Sequence, residues 1–507
     1  MKQKLPFFHL LLALGTACYL PFAVFTAGNI IFAPWPLYGR NRVLLFALTL
    51  LCSFLLFWAF KTVSRHENSF REKEPYCLLC LSILFFFIQM LSWRLLVHTP
   101  FTDTEQIITS ARSLSETGQF PSGERYTRYF IWYPHNLGTV YLYSILFKFA
   151  SVLRLSEPMT LIVLFSAVLF SFGLFCTARS AQMLGGYSAE LRFILLVLLT
   201  FPFYYCCSEL YTDALSLPFA GIQIYFFLRF RNGRSPKASA VFFAVFSLLG
   251  SLIRMTALVV CIACFLSLFF EKRFRGFALL LIMTLCLLVP GRALVQKKNE
   301  QLLGKENLNN GTLPVWHYML LGLPIHEEDG YGQYGDGSWL ILSTSFDNPE
   351  ERDQVLRGMV KDRIYYLRFP NRLLNMVSRK NLATFGDGSF HLNELIEADV
   401  HDPDNFLKQI LFSQGKLFFL YYHLMTALFL CEFIFSSIAC IQSIYQRHFS
   451  SSCVFITLLG AFLYLTIWET NARYFFPFHL LLLLGAALLS PHSNKIRSDM
   501  SFRFPFR

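Results

Sequence analysis

The feature that most constrains this chain is a repeated one. Windows of 16–22 residues are almost purely apolar, and short segments rich in Lys and Arg separate them. A run of about 20 apolar residues matches the hydrocarbon core of a bilayer. Lipid offers no partner to backbone N–H and C=O groups, so each run must close its hydrogen bonds internally, as a helix. The period-two alternation of a membrane β-barrel is absent. Only 15% of the residues are charged and 55% are hydrophobic, whereas a soluble chain carries about a quarter charged residues. The predicted fold class is an all-α polytopic membrane protein with about 12–13 transmembrane helices.

Hydropathy places spans near 6–27, 42–60, 76–97, 137–153, 158–178, 190–207, 211–230, 238–254, 256–271, 276–295, 414–444, 453–468 and 474–491. The organisation that follows is two N-terminal helices in 1–75, a membrane module in 76–296 with a polar loop at 98–133, a small outer domain in 297–412, and C-terminal spans in 413–507. The start "MKQKLPFFHLLLALGTACYLPFAVF" has too long an apolar run for a signal peptide and reads as an uncleaved first span.

Basic loops mark the cytoplasmic side. Lys2 and Lys4 place the N-terminus inside; Lys61, Arg65, Arg71 and Lys73 do the same for the second loop. Lys495, Arg497, Arg503 and Arg507 place the C-terminus inside, with Arg447 and His448 on the same side. The loop 98–133 and the domain 297–412 are then outside. One count conflicts: between the outer loop ending near Tyr133 and the outer turn near Asp213 the number of crossings must be even, yet three apolar runs occur there.

Net charge is +12, but the cations sit in the short inter-span segments and no basic-aromatic module is visible, so nucleic acid is not an expected partner. The thirteen Cys avoid 98–133 and 297–412, which excludes a disulfide framework outside. The CxxC pairs Cys77/Cys80 and Cys261/Cys264 fall in apolar runs without His or Cys partners and read as packing residues. "GYGQYGDGSWL" (330–340) lacks the ending of a phosphate loop, and "HEED" (326–329) does not put two His on one helical face.

Several polar clusters share the outer ends of spans: Asp103 and Glu105 in "FTDTEQI", Tyr133, His135 and Asn136 in "WYPHNLG", Glu209 and Asp213 in "ELYTD", Arg254 in "LIRMTALVV", and Glu469 and Arg473 in "ETNAR". "TEQIITSARSLSETG" reads as a short amphipathic helix with Ile107, Ile108, Ala111 and Leu114 on one face. Thr102 or Asp103 could cap it; the sharper reading makes Asp103 a base that takes a proton from a hydroxyl. Glu105, in the first turn, can serve the helix amides. Arg254 is either a snorkelling anchor or a phosphate ligand, since guanidinium binds phosphate in a bidentate way. Glu469 and Arg473, four apart, could pair with each other.

In order and sidedness these motifs resemble the C-type glycosyltransferase superfamily of multi-span membrane enzymes. The match runs from the acidic "FTDTEQI" in the first large outer loop to the Tyr-Pro stretch "WYPHNLGTVYLYSILFK", "FPFYYCCSELYTDALSLPF", "LIRMTALVV" and "ETNARYFFPF". It covers most of 76–295 and then 453–491, and looks most like the bacterial branch that decorates the cell envelope. The acidic motif here is Asp-x-Glu with no second Asp, and two spans precede the expected first one.

The resemblance implies an inverting transfer from a polyprenyl-phosphate-linked sugar donor to an envelope polymer, lipid or protein acceptor. Asp103 would be the catalytic base, Arg254 and Arg473 would stabilise the leaving phosphate, and the other residues named above would bind substrate. A divalent cation, magnesium or manganese, is compatible with it, with no ligands assigned. Two other classes stay open. A transporter or lipid flippase would place charges near the midplane and show repeats; a non-catalytic scaffold of envelope assembly would not need Asp103.

Overall fold

A computed structural model describes residues 7–32, 41–325, 332, 338–397, 405–447 and 449–491. Lys2, Lys4, His448, Lys495, Arg497, Arg503 and Arg507, the "HEED" stretch and most of 330–340 lie outside the described residues. Among the described residues no β-strand occurs and the regular elements are helices. Among the described residues eight helices are long and apolar enough to cross a bilayer. The expected all-α polytopic membrane fold is the one the chain adopts.

The crossing conflict is resolved by two features. The first is that Leu137–Val152 does not run through the bundle. It packs along the amphipathic helix Thr102–Thr117, with the Arg112 guanidinium 5.5 Å over the Phe147 ring. Tyr141 donates to Asn299 Oδ1 at 2.7 Å, and Tyr143 to the Leu210 carbonyl at 3.3 Å. Asn299 and Leu210 both belong to the end of the bundle that carries Asp103, hereafter the site end. Gly138 lets the helix start lie against the 250–254 turn, because a Cβ there would run into the Leu252 carbonyl.

The second is a reversal inside Met159–Leu199, where Gly186 has φ 75 and ψ −174. Phe170 on the first leg packs against Phe203 beyond the second, at 5.6 Å, and both meet the stretch 85–89 of Glu67–Leu95. From 170 to 186 and from 187 to 203 are sixteen residues each, so each leg travels about 24 Å and the chain returns to the level it left. At the turn, Ser188 donates to Glu67 Oε2 at 2.6 Å. The chain therefore makes two passes between 153 and 210, an even number. Counted this way the described chain passes twelve times through the bundle: Phe7–Phe32, Arg42–Arg65, Glu67–Leu95, 159–185, 187–209, Thr212–Arg231, Pro236–Ile253, Ala257–Phe270, Phe274–Leu303, Phe418–Tyr445, Phe449–Ile467 and Ala472–Ala487. Gly186 occupies a conformation essentially closed to residues with a Cβ, which costs of order 1–3 kcal/mol when imposed. Gly186→Ala should lower the unfolding temperature of the detergent-solubilised protein, although its Cβ would meet only Glu67 Oε1 at 3.5 Å. An unchanged melting curve would remove the reversal.

The described residues of 297–412 are largely helical, with a small core around Leu320, Leu356, Val360 and Met376. The segment is not wholly outside the bundle. Pro370–Phe385 descends antiparallel to Tyr19–Phe32, with Asn29 Nδ2 on the Ser378 carbonyl at 2.6 Å and Asn381 Nδ2 on Thr26 Oγ1 at 2.7 Å. The turn 386–393 then sits among transmembrane helices. Tyr422 donates to the Gly386 carbonyl at 3.1 Å, and the Phe390 ring lies 5.0 Å from Phe429 and 4.6 Å from His479. Irregular backbone at that depth survives only when protein covers it. Asp387 satisfies it locally, accepting from the Ser389 amide and hydroxyl at 2.7 Å and from the His391 amide at 3.1 Å. All thirteen Cys are free thiols; Cys261 contacts Ser247 within the core, as a packing residue does.

Candidate active site

The site is assembled from four loops at one end of the bundle. Thr102–Thr117 presents Asp103 from its first turn. The helix forms where its apolar face predicts: Ile107, Ile108 and Ala111 are buried and Leu114 packs against the core. Gly118 closes it in the left-handed region. Its start differs from expectation. The N-cap is Phe101, neither Thr102 nor Asp103 makes a capping bond, and Thr102 has φ 50. That turn frees Asp103 from the helix amides. Its Oδ2 accepts from the Tyr211 hydroxyl at 3.2 Å. Tyr129, also beside Asp103, has its phenol held well above the usual range, by burial first and then by Tyr211 and Asp103. Both phenols therefore stay protonated beside the carboxylate.

Behind Asp103 sits a two-arginine cluster. Asp213, wholly buried, forms ion pairs with Arg254 and, at 3.5 Å, with Arg473. Arg254 also donates to Thr212 Oγ1 at 3.1 Å and lies 4.7 Å over the Tyr474 ring. Arg473 lies 5.3 Å over Tyr211. Each guanidinium side chain keeps 17% of its surface exposed while Asp213 keeps none, so the cations face the open side and the anion backs them. Neither Asp213 oxygen nor Arg473 Nε has an aligned hydrogen bond among the described residues. Buried polar atoms in that condition call for an explanation; a second anion beside the two guanidiniums would supply one.

The expected Glu469–Arg473 pair does not form: Arg473 turns to Asp213, and Glu469 accepts from the Tyr474 hydroxyl at 3.1 Å. Burial raises the Glu469 carboxyl, against the Tyr474 bond and Arg473. Glu209 is wholly buried beside Asp213. It accepts from the Ala214 amide at 2.9 Å and so caps Thr212–Arg231. Glu105 points away from Asp103 and takes Arg125 at 2.9 Å and Tyr126 at 3.4 Å, rather than the amides of its own helix. Asn136 donates to the Tyr129 hydroxyl at 2.8 Å, Tyr133 packs 5.2 Å from Tyr129, and His135 meets Tyr318 at 6.4 Å. The "YPHN" stretch thus builds the wall around Tyr129.

Sequence reasoning missed Tyr211, Tyr474 and Tyr129, although the first two lie inside or beside quoted motifs. It also missed Lys380, which no pattern marked. The Lys380 ammonium donates to the Gly322 carbonyl, to Thr466 O at 2.8 Å and to Trp468 O at 2.6 Å. These are the C-terminal carbonyls of Val315–Gly322 and Phe449–Ile467, where helix dipoles favour a cation. Burial pulls the group down to about 7, against Glu469. The clasp fixes the loop that carries Glu469 and Arg473.

An all-α, many-pass membrane protein with a buried acid–arginine site at one end of its bundle is the class that fold and site define. The chain belongs to the family described as conserved hypothetical integral membrane protein, which matches residues 10–494. No curated protein matches. Among solved structures, ArnT from Cupriavidus metallidurans bound to undecaprenyl phosphate is similar at 12% identity and a TM-score of 0.35, over 82% of this chain and 77% of that one.

Proposed function

We propose that this protein is a membrane glycosyltransferase that moves a sugar from a polyprenyl-phosphate donor to a hydroxyl of an envelope acceptor, with inversion, at the outer face of the cell membrane. The observation that carries the reading is a half-buried carboxylate, bonded by the Tyr211 phenol, with two partly exposed guanidiniums behind it. Asp103 takes the proton of the acceptor hydroxyl. The oxygen attacks the anomeric carbon, the bond from that carbon to the phosphate oxygen breaks, and polyprenyl phosphate leaves with the electron pair. Arg254 and Arg473 stabilise the charge that develops there. Asp213 cancels one of their two charges and leaves one for the phosphate. The order of motifs shared with the C-type superfamily supports the same roles.

No ligands are assigned to a divalent cation. Asp213 is committed to guanidiniums, Glu209 to a backbone amide and Glu105 to Arg125, and no three His, Cys, Asp or Glu among the described residues converge as ligands. No step is routed through a metal.

The outward orientation is tested with impermeant thiol reagents on intact cells. In a cysteine-depleted background, cysteines at Ser122 and Ser345, both exposed, should be labelled. Ser343 is unsuitable because it is buried against His317 Nδ1 at 2.8 Å. Protection of both positions would put the site inside and end the proposal. Envelope-glycan composition compared with and without the protein tests the activity itself: a missing or shortened sugar substituent is expected, and an unchanged glycan profile with altered solute uptake would favour a transporter.

A further inference from the structure

Asn348-capped Pro349–Leu367 and Pro370–Phe385 meet at a corner. It exposes Ile364 at 52%, Tyr365 at 62%, Phe369 at 42% and Leu374 at 58%. Two arginines are interleaved with these apolar groups. The Arg368 guanidinium lies 3.7 Å over Tyr365, and that of Arg372 lies 4.1 Å over Tyr366 and 4.8 Å over Phe369. Neither has a carboxylate partner among the described residues. Beneath the corner is a cavity of about 560 Å³ whose walls include Trp339, Met359, Tyr366 and Arg372, with Asp362 and Arg363 also on its lining, in the size range of small-molecule sites.

The level of this corner can be read from the helix beside it. Thr26 pairs with Asn381 and Asn29 with Ser378, so the two helices run antiparallel in register. Three further residues up one helix reach Phe32, and about as many up the other reach Leu374 and the corner. Phe32 is 72% exposed at the end of a bilayer-length apolar helix. The corner therefore stands beside the last described turn of that apolar helix, with Arg372 about 3 Å beyond Leu374 and Arg368 past the helix start. Aromatic rings and cations mixed at that level are the composition of an interfacial site.

We propose that this corner binds an anionic amphiphile: a phosphate or carboxylate headgroup between Arg368 and Arg372, with an apolar chain entering the cavity beside Trp339, Met359 and Tyr366. Ring stacking pre-orients both guanidiniums, which lowers the ordering cost of gripping a headgroup. The site is separate from Asp103 and does not depend on the transferase reading.

The test uses the full chain in uncharged detergent and native mass spectrometry. It is titrated with dioleoyl-phosphatidylglycerol, with dioleoyl-phosphatidylcholine and with inorganic phosphate. One phosphatidylglycerol should be retained in excess of phosphatidylcholine, and inorganic phosphate at tenfold higher concentration should not displace it. The double variant Arg368→Gln/Arg372→Gln, at exposed positions, should weaken retention at least tenfold with an unchanged melting curve. Met359→Trp, which fills the cavity and leaves both arginines, should also weaken it. Equal retention in the double variant would overturn the site. Equal retention of the two lipids would remove the charge recognition, and displacement by phosphate would make it a site for a soluble anion instead.

Discussion

Asp103→Asn should reduce sugar transfer by about 10²–10⁴-fold, the usual contribution of a general base, while protein level and donor binding persist. The amide keeps the size of the carboxylate and can still accept from Tyr211, so the 3.2 Å contact has no reason to break. Glu105→Gln is the control on the same turn of helix. Its carboxylate serves Arg125 at the surface, where an ion pair contributes little, and it should cost far less. The measurement is transfer by both variants at matched expression. Near-normal activity in Asp103→Asn would take that residue out of the mechanism.

Loss of the Arg254 guanidinium should lower transfer by about 10²–10³-fold, the scale for removing one preorganised donor to a developing anion. Arg254→Ala alone is ambiguous, because it leaves the buried Asp213 with Arg473 as its one cationic partner and so also destabilises the fold. Two companions separate the effects. Arg254→Lys keeps the charge without the planar fork and should bind donor weakly in a folded protein. Arg254→Ala with Asp213→Asn removes both charges, so it should recover the melting temperature without recovering transfer. If the double variant regains activity along with stability, Arg254 serves only to neutralise Asp213.

The apolar face of Thr102–Thr117 and the gathering of charged motifs at one end of the bundle were legible in the sequence. Spacing and hydropathy report directly which side of a helix is covered and where a span ends. They do not report what covers it. The run 137–153 is apolar enough to suggest a span, yet it is covered by another helix, and its tyrosines bond to Asn299 and Leu210 rather than facing lipid. The turn 386–393 errs the other way. Asp387, Ser389 and His391 look solvated in any hydropathy plot, but they satisfy one another locally and are buried to within a few per cent. Within the site, the motifs supplied the residues but not the pairings. Arg473 prefers Asp213 to a Glu four positions away because residues 469–471 are not helical and Ala472–Phe478 is a 3₁₀ helix, so no α-helical turn spans the pair.

The Lys380 clasp bears on how such a protein could be rebuilt. A membrane module and an outer segment joined by two peptide crossings would ordinarily invite exchange, with one supplying chemistry and the other swapped to change the acceptor. Here the outer segment contributes an ammonium that three backbone carbonyls share, two of them from the membrane module. A graft that lacks a cation at that height leaves Thr466 O and Trp468 O bare and lets the strand of chain bearing Arg473 drift. The two parts are therefore not interchangeable modules, and chimaeras should work only when the seam is drawn so that Lys380 and the 466–470 loop travel together.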